Sequence, residues 1–433
     1  MKLEIEAKNG GSYDLVVAGG GPAGCAAAVT AARRGLKTLL VEQGGSLGGS
    51  ATRCLVTPFM PWTTTVEENG GRKTLELSAG FFREIFGDVL RDGVYGGPYA
   101  GGSEIDEESL KVILDRKAAE AGVRVLFHAS VCAVRTEGRR VAAVVAATVA
   151  GPLAFRARTF VDATGDATLS ALAGVAFRVG RVSDSLCQPM TLSFRVCNAD
   201  VDGAMAMRGE ICDVYRRFKE EGRIKNPRED VLMFRTRLPG VVHFNTTRIV
   251  KADPTDPFAV SAAEAAAREQ VVETFKFLKE NFAPFRGSSL VSTAAAIGAR
   301  ESRMIEARHV LTREEIVAGT KFPDGVAAGN YDIDIHSPDG SGTSHWYFPP
   351  GLYYTIPYRS LLPRELDNLL VAGRCIGASH EAQASVRIMP ICFCMGEAAG
   401  AAAALAAETG AEAAAADTDA LRARLRAAGA FVG

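Results

Sequence analysis

The chain lacks a long basic run. A formal net charge of -1 over 433 residues leaves no electrostatic footprint for nucleic acid or an anionic membrane. It also lacks a C-x-x-C pair, which argues against disulfide reductase chemistry. Its nine cysteines (Cys25, Cys54, Cys132, Cys187, Cys197, Cys212, Cys375, Cys392, Cys394) are odd in number and scattered. That pattern fits reduced thiols in a cytoplasm better than a disulfide framework. Cys392 and Cys394 form the one close pair, and an isolated C-x-C does not make an iron–sulfur site. The six histidines show no metal-ligand spacing. Residues 1–15 are polar, without the apolar core of a secretory signal. The most apolar C-terminal stretch, 398–407, falls well short of the roughly twenty residues that span a bilayer. These absences predict a metal-free cytoplasmic protein without nucleic-acid or membrane partners, and they leave its oligomeric state open.

What the chain does have is a phosphate-cradling pattern near its start. Residues 13–18 form an apolar run that reads as a buried strand, and Gly19, Gly21 and Gly24 supply a G-x-G-x-x-G spacing. Residues 23–34 read as a helix and 37–41 as a second strand, closed by Glu42. Gly19 makes the tight turn, Gly21 lets the backbone approach a pyrophosphate, and Gly24 lets helix and strand pack closely. Pro22 and Ala23 stand at the start of this helix as candidate cofactor contacts, and its N-terminus turns unpaired N–H groups and partial positive charge toward phosphate. Glu42 lies eighteen positions beyond Gly24, near the roughly twenty expected of a carboxylate gripping ribose hydroxyls. The glycine spacing alone also describes an ordinary glycine-rich turn. Strand, helix, strand and Glu in this order predict dinucleotide binding.

At roughly 150 residues per domain, the length allows two or three. A second glycine-rich loop at 44–52 contains Gly48, Gly49 and Ser50. An irregular insertion at 50–105 follows, with a glycine run at 96–102 and a helix at about 75–89. Residues 107–121 have helical periodicity, with Ser103 and Asp106 as candidate caps. Strand-like segments at 123–127, 131–136, 141–149 and 153–157 form a small meander. An apolar strand at 159–162 then runs into Ala163, Thr164, Gly165 and Asp166. Residues 181–355 mix polar strands with helices and read as a substrate-facing domain. That domain is inserted in a framework spanning 1–180, which resumes at 356–433 with a buried strand at 369–372. The expected fold is α/β: a Rossmann-like cofactor domain, with central parallel sheet and β-meander, carrying an inserted α+β domain.

Strands of one framework at both ends of the chain, with an insertion between, do not suit a nicotinamide dehydrogenase. Three segments instead resemble the FAD-dependent oxidoreductases related to fumarate reductase and glutathione reductase. They are residues 17–50, FVDATGDATLSALAG at 160–174, and NLLVAGRCIGASHEAQASVRIMPICFCMGEAAGAAAAL at 368–405. Further similar stretches are IGARESRMIEARHVLTREEI at 297–316 and YDIDIH at 331–336. The resemblance implies FAD held by separated segments. Ala163 to Asp166 and Gly373-Arg374 would lie at strand ends beside the cofactor, Val131 would touch adenine through its backbone, and Met395-Gly396 would lie near the flavin. No second G-x-G-x-x-G follows a strand, so a built-in NAD(P)H domain is not expected.

The same resemblance places His336, His380 and Arg387 where the chain passes the flavin. Histidine suits acid–base work near neutrality, and arginine offers a forked donor to a carboxylate or enolate. A histidine in a turn is as readily a plain hydrogen-bonding residue, and both readings stay open for His336 and His380. Cys54 reads as an inert buried thiol more readily than as a reactive one. The expected activity is hydride transfer between a small organic substrate and flavin N5, with reoxidation by an external acceptor. The rivals are an electron-transfer subunit of a larger complex and a flavin-dependent synthase or isomerase without net redox change.

Overall fold

The computed structural model describes residues 4, 6–68, 70–91, 105–340 and 342–433. The glycine run at 96–102 and the candidate cap Ser103 lie outside them. The central sheet has the spatial order Arg124–Leu126, Thr38–Val41, Lys8–Ala18, Gly151–Asp162, Arg140–Thr148, Ser130–Glu137, with Leu369–Val371 also paired to Gly151–Asp162. The strands through Gly151–Asp162, together with Leu369–Val371, are parallel. Residues 15–18, 38–41 and 369–371 are all buried, as parallel strands covered on both faces must be.

The segments expected as two strands at 153–157 and 159–162 form one strand of twelve residues, Gly151–Asp162. Its first half pairs antiparallel with the meander, and its last three residues pair parallel with Leu369–Val371. Arg156 and Arg158 interrupt the apolar run without interrupting the strand. The helix expected at 75–89 begins later, at Phe81, because a hairpin of Thr63–Glu68 and Gly71–Glu76 occupies the preceding residues.

Residues 190–297, joined by Leu55, carry a hydrophobic core separate from that of the framework. It fills the space between the long helix Pro257–Asn281 and a four-stranded sheet, with Phe194 stacked on Phe244 at 4.7 Å. By contrast, Leu311, Ile316, Val326, Ala327, Tyr354 and Ile356 pack into the core of the cofactor framework. The insertion therefore has its separate core only up to about residue 297, and much of 300–355 packs with the framework.

Met389–Thr409 is a 21-residue helix, long and apolar enough to cross a bilayer, yet every residue from Met389 to Ala406 is buried in the protein. It exceeds the short apolar stretch expected at 398–407 because its first turns are equally apolar. Two glycines let it approach the helix Pro22–Arg33. A Cβ on Gly396 would stand 2.0 Å from the Ala23 carbonyl oxygen, and one on Gly400 2.3 Å from that of Ala27. This is a core helix.

Candidate functional site: a cleft at the strand ends

The parallel strands end together at Ala18, Val41, Asp162 and Val371, where doubly wound sheets bind ligands. A cleft of about 390 Å³ opens there. Gly24 is fixed by packing, since a Cβ would stand 1.8 Å from the Gly19 carbonyl oxygen. Gly19 has φ +95°, and a Cβ there would strike the Ala163 backbone at 2.4 Å. Gly21 is different. A Cβ would meet only the Gly49 Cα at 3.9 Å, so its backbone is open to the cleft at the start of the helix Pro22–Arg33.

Glu42 is buried at the end of its strand, accepting hydrogen bonds from the Gly20 and Gly44 N–H groups, both at 2.6 Å. One bond per oxygen leaves further lone pairs for two ligand hydroxyls. The second glycine loop is tied to the first by the Gly48 N–H, which donates to the Gly20 carbonyl at 2.8 Å. Asp162, which the sequence reading passed over, organises the next turn. Its carboxylate accepts from the Thr164 N–H and hydroxyl and from the Ser170 N–H and hydroxyl. Arg374 staples that turn to the return strand and to the insertion. It donates to the Gly165 carbonyl at 2.6 Å, the Ala299 carbonyl and the Asp166 carboxylate.

Of the residues singled out from sequence, Gly19, Gly21, Pro22, Ala23 and Glu42 line the cleft, as do Gly49, Ser50 and Val131. Ala163, Thr164, Gly165, Asp166, Gly373 and Arg374 line it too. Gly24 and Gly48 sit behind the wall. Met395 and Gly396 do not reach the cleft: Met395 is in the core, and Gly396 spends its small size on helix–helix contact. From their helix, the cleft is reached by Met389 and Cys392 instead. The sequence reading missed these two, and also Arg53, Glu264 and Ile297. Arg53 had a signal, as the last residue of a one-turn helix opening from the second glycine loop. Burial pushes the Cys54 thiol up to about 11 and the Cys392 thiol up to about 12, so neither is a ready thiolate.

The three catalytic candidates separate. Arg387 lines the cleft, and its Nε is buried without a hydrogen-bond partner. Behind it lies Asp334, 3.6 Å from Arg387 Nη2 and 3.5 Å from His336 Nε2. Burial alone would raise the Asp334 carboxyl. The His336 contact and the charges of Arg387 and Arg300 outweigh it and hold Asp334 well below the usual carboxylate range. His336 is not on the cleft wall. Burial and the Arg300 charge hold it below its ordinary value despite Asp334. Its Nδ1 lies 3.0 Å from the Arg248 guanidinium, an obligate donor. Neutral His336 therefore accepts at Nδ1 and carries its proton on Nε2, facing Asp334. His380 lies elsewhere. It opens the short helix His380–Val386, and its Nδ1 is 2.8 Å from the fully buried Glu301.

The model of the family described as FAD dependent oxidoreductase matches residues 14–425, nearly the whole chain. The chain belongs to that family. FAD is its cofactor. The residues present suit that group, with an open backbone at Gly21, a helix N-terminus beside it and a fixed carboxylate at Glu42. Among curated relatives of this FAD dependent oxidoreductase, 3-oxosteroid 1-dehydrogenase of Mycolicibacterium smegmatis is 37% identical over 81 residues. That match covers 19% of this chain and 14% of that protein. Digeranylgeranylglycerophospholipid reductase of Picrophilus torridus is 48% identical over 56 residues, 13% of this chain and 14% of the relative. The matched segments thus span about a seventh of these relatives. Among solved structures, a geranylgeranyl bacteriochlorophyll reductase-like protein from Thermoplasma acidophilum aligns with a TM-score of 0.48 at 14% identity. It covers 96% of this chain and 84% of that one.

Proposed function

We propose that the protein transfers hydride between a small organic acid or carbonyl compound and bound FAD, and that an external acceptor reoxidises it. The bound flavin supplies the hydride-accepting position; the chain supplies orientation and electrostatics. The supporting observation is Arg387, a half-buried guanidinium on the cleft wall whose buried Nε has no partner. Such a group gains by pairing with a substrate oxygen that is anionic or becomes so. Asp334 anchors it from behind, and neutral His336 positions Asp334. These two residues act through Arg387. In this reading Gly21 and the helix N-terminus hold the diphosphate, Glu42 holds the ribose, and the Met389–Cys392 end of the cleft faces the ring.

The test is an anaerobic titration of the FAD-loaded protein with hydroxy acids, amino acids and unsaturated acids, followed by flavin absorbance. One of these should bleach the flavin, and a soluble quinone should restore the colour. Recovery without any acceptor would point instead to chemistry with no net redox change. Reduction by none of them, with an iron–sulfur partner co-purifying, would point to an electron-transfer subunit.

A further inference from the structure

A second cavity, of about 380 Å³, shares no lining residue with the cofactor cleft. Its walls include Arg178, Arg181, Ser183, Ile335, His380 and Glu381. The residues flanking Ile335 in its strand, Asp334 and His336, face the Arg387 cluster. Alternation along the strand turns Ile335 to the opposite side, so this one strand separates the two sites.

The wall around Arg181 is built in advance of any ligand. Gly180 has φ +63°, and a Cβ there would lie 2.5 Å from the Leu186 backbone, so the chain folds back tightly. The Arg181 N–H donates to the Leu186 carbonyl at 3.1 Å, and the Ser185 N–H to the Arg181 carbonyl at 2.9 Å. Arg181 is neutralised by a two-pronged pair with Asp184, at 2.8 and 2.7 Å.

Two charges in the cavity are not neutralised. Arg178 makes one hydrogen bond, from Nη2 to the Ala378 carbonyl at 2.5 Å, out of the five N–H groups it carries. Its Nε is buried without a partner, and it forms no ion pair among the described residues. Glu381, on the same cavity, has no hydrogen-bond or ion-pair partner among the described residues. His380 adds a third polar group: Glu301 occupies Nδ1, which leaves Nε2 as the nitrogen without a partner. Pockets whose few polar groups converge in this way are the usual setting for small-molecule recognition.

A purely anionic ligand would satisfy Arg178 but face Glu381, and a purely cationic one would face Arg178. The complement is a molecule bearing both charges. We propose that this cavity binds a small zwitterion of the α-amino acid class, its carboxylate on Arg178 and its ammonium on Glu381, with Ile335 against the side chain. The site does not depend on the proposed hydride transfer.

The test uses the FAD-loaded protein. The standard amino acids are screened by thermal shift, and the best is carried into calorimetry beside its deaminated acid and its decarboxylated amine. For L-leucine these controls are 4-methylpentanoate and isopentylamine. Saturable binding is expected for the amino acid and not for either single-charge control. Arg178→Gln and Glu381→Gln should each weaken it by about tenfold or more, the worth of one charged hydrogen bond, with the flavin spectrum unchanged. Three results overturn the assignment: no amino acid binds, a single-charge control binds as well, or binding survives both substitutions. Binding lost in Arg387→Gln but kept in Arg178→Gln would place the ligand in the cofactor cleft and equally overturn it.

Discussion

The two ends of the cleft at the strand ends are built by different means. At the Gly21 end the wall is backbone, made of strand termini, glycine turns and a helix start whose N–H groups need no side chain. At the Arg387 end it is side chain, with Arg53, Cys54, Ile297, Arg387, Met389 and Cys392 arriving from separated stretches of sequence. At the first end Gly19 and Gly24 leave no room for an added Cβ, while Gly21 stays open to the cleft. The second can exchange side chains while the frame stands.

The largest effect should follow from crowding the backbone end. Gly24→Val would push a branched side chain into the Gly19 carbonyl, where a bare Cβ already stands at 1.8 Å. Neither partner is a flexible side chain. Helix and strand must separate, at a cost of about 3 kcal/mol or more, and the purified protein should be colourless. Gly400→Ala makes a comparable overlap with the Ala27 backbone, at 2.3 Å, and Ala27 does not line the cleft. It should lower thermal stability while leaving flavin bound. Equal loss of flavin in both variants would erase the distinction drawn between packing directly behind the cleft and packing remote from it.

At the side-chain end, Arg387→Gln should keep the flavin and slow its reduction by substrate about a hundredfold, the usual scale for losing one preorganised donor. Arg387→Lys should recover little, because an ammonium cannot reproduce the guanidinium fork over Asp334. Stopped-flow reduction rates, with visible spectra as the loading control, decide it. An unchanged rate would remove Arg387 from the reacting centre.

Legibility from sequence follows the same division. Gly19, Gly21, Gly24 and Glu42 were readable because backbone geometry fixes both their spacing and their identity. The Ala163–Asp166 and Gly373-Arg374 turns were readable as strand ends, although Arg374 works as a staple between segments. Met395 and Gly396 were misplaced because a small residue in an apolar helix looks the same whether it admits a cofactor or another helix. His380 was placed by its closeness in sequence to Arg374, yet its helix carries it to a separate cavity. The Asp334–Arg387 contact joins residues 53 positions apart and leaves no periodic trace. Nor did the strands Gly325–Gly329 and Tyr354–Pro357 announce which core they would join.

Two buried carboxylates sharpen the comparison further, with smaller effects. Glu397 accepts from the Phe81 N–H at 3.1 Å, at the start of the helix Phe81–Arg91, far from any ligand role. Burial pushes its carboxyl up to about 7 from an ordinary 4.5. A folded-state value above the unfolded one means the folded protein holds the extra proton between those limits. The stabilisation is therefore complete below about pH 4.5 and is lost as pH rises through about 7. Glu397→Gln keeps a carbonyl for Phe81 and removes the titration. Urea denaturation should show it more stable than the parent at about pH 8, by about 3 kcal/mol, and nearly equal at about pH 4.5. A constant difference at both pH values would refute the assignment.

Glu42 has the opposite design, lining the cleft with both oxygens already engaged by backbone N–H groups. Glu42→Gln leaves one carbonyl for two N–H donors and turns an NH₂ toward the other, a donor against a donor. The Gly20 and Gly44 loops should loosen, and the ribose should lose a charged acceptor. FAD affinity should fall about tenfold, the worth of one charged hydrogen bond, with a smaller loss of fold stability. Fluorescence titration of FAD into the apoprotein measures it. An unchanged dissociation constant would make Glu42 a loop staple only, and the backbone end of the cleft would then hold its ligand without any side chain.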